Sequence, residues 1–317
     1  MDDSADPGRR QMLVRACRTG DRAALMRLGH PPAVGDILSP RRARRIAWRL
    51  LGTRSVAAMA VEKDTGAALG SIQFLRSRRD RNTWLFGHWR VAAGRRREGI
   101  GRRLLREGAR LLPAGARLYS YVDWGNEASI AAHERCGFEA GRTLHGSAPL
   151  GVLSTIGAPT PALRLEPARP GDRPVLFGLY ARAMGSLWLR LFPRLRPRNY
   201  ATARFAGYRL ALLAHSRVVD RAGGAGRAGG SGRPAPGDSQ PAGFVLWEGD
   251  ALTFFADPEV CDAALLARVA LQLVALGAGR EATLELRGLP RALAARPGAI
   301  LAQILMGMPD PPTQWRE

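Results

Sequence analysis

The sequence predicts an α/β chain, of the α+β kind, in two domains, each a mixed, mostly antiparallel sheet flanked by helices. Three observations predict it. The first half reads as strand, one or two helices, three strands, helix, strand, helix, strand. A glycine-bearing stretch, Val91 to Leu105, stands where the fourth of those strands gives way to a helix. The second half repeats features of the first at an offset that widens across a Gly/Ala/Pro/Ser-rich stretch, Arg221 to Gln240. A chain of 317 residues, 46% hydrophobic, has the length and apolar content for two ordinary domains.

The elements follow from pattern and punctuation. Met12 to Cys17 is a short strand. Thr19 and Asp21 offer helix N-cap chemistry ahead of an apolar face at Ala23, Leu25, Met26 and Leu28, and the segment from His30 to Gly35 stops that helix. Ser39 to Leu51 is a second, arginine-rich helical segment. Ser55–Val61 and Ala68–Leu75 are strands joined by a turn ending at Gly66, and Arg76 to Asn82 is a charged loop. Trp84 to Val91 is the fourth strand. Ile100, Leu104, Leu105, Leu111 and Leu112 share one helical side, and Pro113 to Gly115 ends that helix. Arg117–Val122 is a strand, Glu127–Arg135 a helix stopped by Gly137, and Phe138–Leu144 a sixth strand closing the unit.

Composition limits the function classes. No apolar run reaches the ~20 residues of a membrane span, and the acidic start of the chain lacks signal-peptide character, so a cytoplasmic protein without membrane contact is expected. Cys17, Cys136 and Cys261 are too far apart for a disulfide framework or a metal site, and no metal is expected. The net charge of +21 points toward nucleic acid. Against this, the basic residues are almost all arginine, Lys63 being the only lysine, and they are spread along the chain without interleaved aromatics. A basic surface would equally steer an anionic cofactor or substrate.

The glycine stretch carries the chemistry. At a helix start several backbone N–H groups lack an internal partner, and with the helix dipole they favour a phosphate-type anion. Gly99 and Gly101 let a ligand approach the backbone, and Arg96, Arg97, Arg102 and Arg103 add positive charge. The spacing Arg96-x-x-Gly99-x-Gly101 is neither that of a P-loop nor that of a dinucleotide fingerprint.

That spacing resembles the pyrophosphate loop of the GCN5-related N-acetyltransferase (GNAT) superfamily. A second segment agrees: Asn126-x-x-Ser129-Ile130-x-x-His133-Glu134-Arg135-Cys136-Gly137-Phe138 resembles the family's Asn-x-x-Ala-Ile-x-x-Tyr-Glu-Lys-Leu-Gly-Phe. The resemblance covers roughly residues 12–146. It implies acetyl-CoA as co-substrate and transfer of its acetyl group by direct attack of a primary amine, on a small molecule or on a protein or peptide. It implies that the strand before the loop splays from its neighbour. The strand backbone at Trp89, Arg90 and Val91 would then hold the pantetheine arm. The loop, Arg96, Arg97, Glu98, Gly99, Ile100, Gly101 and Arg102, would hold the pyrophosphate. Asn126 would contact the arm or order a water.

His133 stands where the family most often has the tyrosine that protonates the departing thiolate. It is the candidate general acid, or a surface-helix histidine replacing a dispensable tyrosine. The fourth strand has no carboxylate to act as base. His88, which strand alternation points opposite to Gly87 and Trp89, and Asp123 are the remaining candidates. Two alternatives stand beside catalysis: a non-catalytic acetyl-CoA sensor or scaffold, and a basic nucleic-acid-binding protein. The acceptor is open, and the chain is expected to be a monomer or homodimer.

The organisation expected is an acetyl-CoA-binding domain at 1–147, a linker at 148–161, and a degenerate acetyltransferase-like domain at 162–317 with a flexible insert at about 221–240. Asp172 echoes Asp21 and Gly243 echoes Gly70. Aligning Leu265-Leu266 with Leu104-Leu105 places Asp257 at Arg96, Val260 at Gly99 and Asp262 at Gly101, a composition hostile to a pyrophosphate. Trp188, Trp247, Phe254 and Phe255 are candidates to wall the acceptor site.

Overall fold

The structure is a computed structural model, and it describes residues 12–30, 55–77, 80–158, 164–193, 210–215, 241–248, 250–295 and 300–310. The expected helix at Ser39–Leu51 and the insert at 221–240 lie outside these. Two compact units emerge. One comprises Met1–Tyr121, Glu127–Glu139 and Met306–Glu317, the other Val122–Asn126 and Ala140–Leu305.

In the first unit β1 (Met12–Ala16), β2 (Ser55–Glu62), β3 (Ala68–Arg76), β4 (Thr83–Val91) and β5 (Arg117–Asp123) are neighbours in that order. The first three pairings are antiparallel and β4–β5 is parallel. Two helices cover opposite faces. In α1 (Arg22–Arg27), Leu25 packs with Cys17, Met59 and Val61. α2 (Ile100–Ala109) lies so close to the other face that a Cβ at Gly108 would sit 3.0–3.3 Å from Phe74, Ala58 and Ile72. The alternation of β2 and β3 therefore sends even-numbered residues to α2 and odd-numbered ones to α1. A third helix, α3 (Glu127–Arg135), completes the unit's described helices.

In the second unit the order is β12-β6-β11-β10-β9-β8-β7, with β6 at Glu139–Pro149, β7 at Arg164–Pro167, β8 at Leu210–His215, β9 at Pro241–Glu248, β10 at Ala251–Ala256, β11 at Thr283–Leu289 and β12 at Leu301–Met308. From β7 to β11 the pairings are again three antiparallel and then one parallel. Its helices are α4 (Leu150–Leu153), α5 (Arg173–Leu191, kinked at Gly185) and α6 (Ala263–Ala275).

The repeat read from the sequence is structural. Asp21 accepts a hydrogen bond from the Arg18 N–H at 2.6 Å, and Asp172 accepts one from the Arg169 N–H at 2.7 Å. Gly70 and Gly243 also match. A Cβ at either would lie 2.6 Å from the Arg90 carbonyl or 2.5 Å from the Phe255 carbonyl, so only glycine lets the neighbouring strand close.

Three expectations change. Phe138–Leu144 does not close the first unit: β6 pairs antiparallel with β11, from Leu144↔Leu289 to Pro149↔Thr283. The stretch expected as a linker from residue 148 begins inside β6 and continues as α4. Trp188, Phe254 and Phe255 are buried in the second unit's own core, with the Trp188 indole N–H bonded to the Tyr180 hydroxyl. The three cysteines are buried free thiols. Among the described residues no helix is long and apolar enough to cross a membrane.

Candidate functional site

The site begins with how β4 ends. Its parallel ladder with β5 runs over Thr83–Leu85 against Arg117–Tyr119 and stops, while β4 continues to Val91. On its other side β4 is bulged: Gly87 opposes Gln73 and Arg90 opposes Ser71, so two residues, His88 and Trp89, stand against Ile72. His88 takes a left-handed φ of 50°, uncommon for a residue with a Cβ. The bulge breaks the simple alternation expected for His88. It sets Trp89 on the α2 face, with His88 and Arg90 on the α1 face.

The loop follows. Arg97 and Gly99 both have left-handed backbone, with φ of 71° and 75°. Gly99 is the N-cap of α2 and supplies no side-chain cap. A loop of this kind opening into a helix start presents backbone N–H groups to an anion. Arg95 anchors it, reaching both oxygens of Glu98 at 2.9 and 2.8 Å and Glu62 at 3.0 Å. Glu98 is thereby held as a loop brace. Arg96, Arg97 and Arg102 remain exposed around the helix start. Ile100 is buried and pins the first turn.

Gly101 lies against Trp89: a Cβ there would be 3.3 Å from the indole Cζ2 and 3.4 Å from Nε1. Beyond Trp89 stands His133, whose ring stacks on Phe86 at 5.2 Å and meets Trp89 edge-on at 5.2 Å and Phe138 at 5.6 Å. His133 is 3% exposed. Its Nδ1 lies 2.7 Å from the Ser129 carbonyl; a carbonyl only accepts, so Nδ1 carries the proton and Nε2 is bare. Burial holds its pKa below the ordinary value, against the opposing effect of the Ser129 bond. Both Trp89 Nε1 and His133 Nε2 are buried without a hydrogen-bond partner. Unsatisfied polar atoms beside a glycine-lined helix start fit a ligand arm passing there.

Across β4 lies a polar group the sequence reading did not single out. His30 Nε2 is 2.6 Å from Ser71 Oγ, and His30 meets His88 edge-on at 6.0 Å. Arg90 donates to the Gly29 carbonyl at 2.7 Å. His30 follows a helix stop, and Ser71 is one polar residue in an apolar strand; no local pattern links positions so far apart. Asp123 and Asn126 lie in the Val122–Asn126 piece of the second unit. There Asn126 N–H bonds the Asp123 carbonyl, and the Asp123 carboxylate accepts from Gln303 at 2.9 Å.

The second unit's counterpart is closed. Counting from the N-cap, Asp262 of α6 stands opposite Gly99 rather than Gly101, and its carboxylate accepts the Leu265 N–H at 2.7 Å. Asp257 is engaged by Arg182 at 2.9 Å. α5 packs on β11 at Gly288, where a Cβ would lie 2.7 Å from Ala183 Cα.

Residues 24–138 match the model of the acetyltransferase (GNAT) family. No curated protein matches the chain. Among solved structures, it is similar to a GCN5-related N-acetyltransferase from Sphaerobacter thermophilus (15% identity, 94% of this chain and 95% of that one, TM-score 0.42). It is also similar to a tandem GNAT protein from the clavulanic acid biosynthesis pathway (13% identity, 95% and 100%, TM-score 0.37). A third is a GNAT family acetyltransferase from Brucella melitensis in complex with acetyl-CoA (28% identity, 41% and 83%, TM-score 0.30).

Proposed function

We propose that the first unit is an N-acetyltransferase that moves the acetyl group of acetyl-CoA to a primary amine by direct attack, and that the second unit is a degenerate copy that binds no cofactor. One contrast carries this reading. Helix α2 begins at Gly99 with no side-chain cap, whereas α6 begins at Asp262, whose own carboxylate fills the cap position. A helix start left open and ringed by arginines suits a pyrophosphate; one occupied by a carboxylate repels it.

Bound acetyl-CoA would supply the activated acetyl group. The chain's part is to hold and orient it. Arg96, Arg97 and Arg102, with the backbone from Arg96 to Arg102, would hold the pyrophosphate. The β4 backbone at Trp89–Val91, no longer paired to β5, would hold the arm. His88 reaches solvent on the bulge and is the base on this reading; partial desolvation of its ring, then Arg90, lower its pKa. Asp123 and Asn126 receive no role here.

Titration calorimetry with acetyl-CoA, followed by CoA release over a panel of amines, tests the reading. One site per chain and CoA release dependent on an amine are expected. A second reading, an acetyl-CoA sensor, is favoured by His133: its proton is committed to Ser129, so it has none to give a thiolate. Binding with no amine-dependent release would select the sensor.

A further inference from the structure

The two faces of β4 carry different chemistry. On the α2 face stand Trp89 and Gly101, part of the strand and loop assigned above to the cofactor, with the His133 ring packed beside them. On the α1 face stand His30, Ser71, His88 and Arg90. His30 is 4% exposed, its Nε2 is engaged by Ser71, and its Nδ1 is buried without a partner. A buried, unpartnered ring nitrogen is costly unless something occupies it. His88, beside it, reaches solvent on a strained left-handed backbone, and strain of this kind gathers at functional sites.

Arg90 sets the charge of this cluster. Its described bond is to the Gly29 carbonyl, and among the described residues it has no carboxylate partner. Its field reaches both rings: after burial, Arg90 is the next cause holding His30 and His88 below the ordinary imidazole range. The same field would favour the neutral form of a nearby amine, attract a carboxylate, and repel a second ammonium.

We propose that His30, His88 and Arg90 form the acceptor subsite, and that it takes a primary amine carrying an anionic group, such as a carboxylate, close to the reacting nitrogen. This rests on the acetyl-transfer reading above. Arg90 faces the anion, and the bare His30 Nδ1 accepts one amine N–H. The amine lone pair forms the N–C bond, the C–S bond breaks with its electron pair on sulfur, one N–H proton passes to His88, and the thiolate is protonated from solvent. His30 is the orienting group and Ser71 holds its ring.

The test uses the full chain with saturating acetyl-CoA and measures CoA release on three probes: alanine, alaninamide and spermidine. Alanine is expected to exceed alaninamide at least about tenfold in kcat/KM, a margin of about 1.4 kcal/mol, with spermidine poorest. Arg90→Gln should erase the preference through KM, and Arg90→Lys should restore most of it. His88→Gln should lower kcat with KM little changed. Acetyl-CoA affinity retained by each variant shows that it is folded. Alaninamide or spermidine matching alanine, or a preference untouched by Arg90→Gln, overturns the proposal. So does acetyl-CoA binding with no release on any probe. Failure of the wild-type chain to bind acetyl-CoA overturns the acetyl-transfer reading itself.

Discussion

Gly101 and Trp89 are in contact across the start of helix α2: a Cβ on Gly101 would stand 3.3 Å from the indole. The glycine is therefore needed for packing as well as for ligand approach. Gly101→Asp would push against the indole and bring a carboxylate to the open helix start. Acetyl-CoA affinity should fall about tenfold or more, about 1.4 kcal/mol. Thermal stability should change less, because an acidic residue in a first turn is favourable by about 0.3–1 kcal/mol. Calorimetry beside a melting curve separates the two.

His133 gives an opposite expectation to that for the family's tyrosine. With Nδ1 bonded to Ser129 and Nε2 bare, it packs as a ring among Phe86, Trp89 and Phe138. His133→Phe should keep acetyl-CoA binding and change turnover less than about threefold, whereas loss of a general acid costs roughly 100-fold or more. A drop of that size in steady-state rates would return the acid role to His133.

His30 should make stability pH-dependent. Burial, then Arg90 and His88, hold it down to about 4. An unfolded histidine titrates near 6.5. Above that pH both states are neutral. As pH falls from about 6.5 toward 4, the unfolded chain takes up a proton that the folded chain refuses, so stability is lost over that window. The loss is on the order of 2–3 kcal/mol at about 1.4 kcal/mol per pH unit. His30→Gln should remove this part of the slope in urea midpoints taken at pH 7 and 5. Parallel slopes in the two proteins would show that His30 is charged in the fold.

Asp262 separates structure from binding in the second unit. Asp262→Ala removes the cap on Leu265 and should cost about 1 kcal/mol. It should leave acetyl-CoA stoichiometry at one per chain. A second binding event appearing in the variant would mean that the cap alone had kept the copy closed, and that the packing of Ala183 on Gly288 does not.

Local elements were legible in the sequence because they depend on local causes. The glycines at 99 and 101, the apolar runs of β2 and β3 and the periodicity of α2 each act within a few residues. Even the repeat was visible, because Asp21 and Asp172 cap similar turns and Gly70 and Gly243 admit similar strand contacts. Asp262 stands opposite Gly99, two residues from the position that sequence alignment gives it, yet its charge opposes a phosphate at either place, because charge does not depend on register in the way that contact does.

What the sequence determined, then, was the class of each element, the repeat and the open, glycine-bearing start of one helix. The tertiary structure decided the rest. Strand partnership is non-local, and β6 finds β11 rather than closing the first unit. The β4 bulge reverses faces over a single residue, which strict alternation cannot foresee. Burial lowers the pKa of His133, and its place among Phe86, Trp89 and Phe138 is set by tertiary packing. The pairing of His30 with Ser71 across 41 positions exists only once helix and sheet have packed.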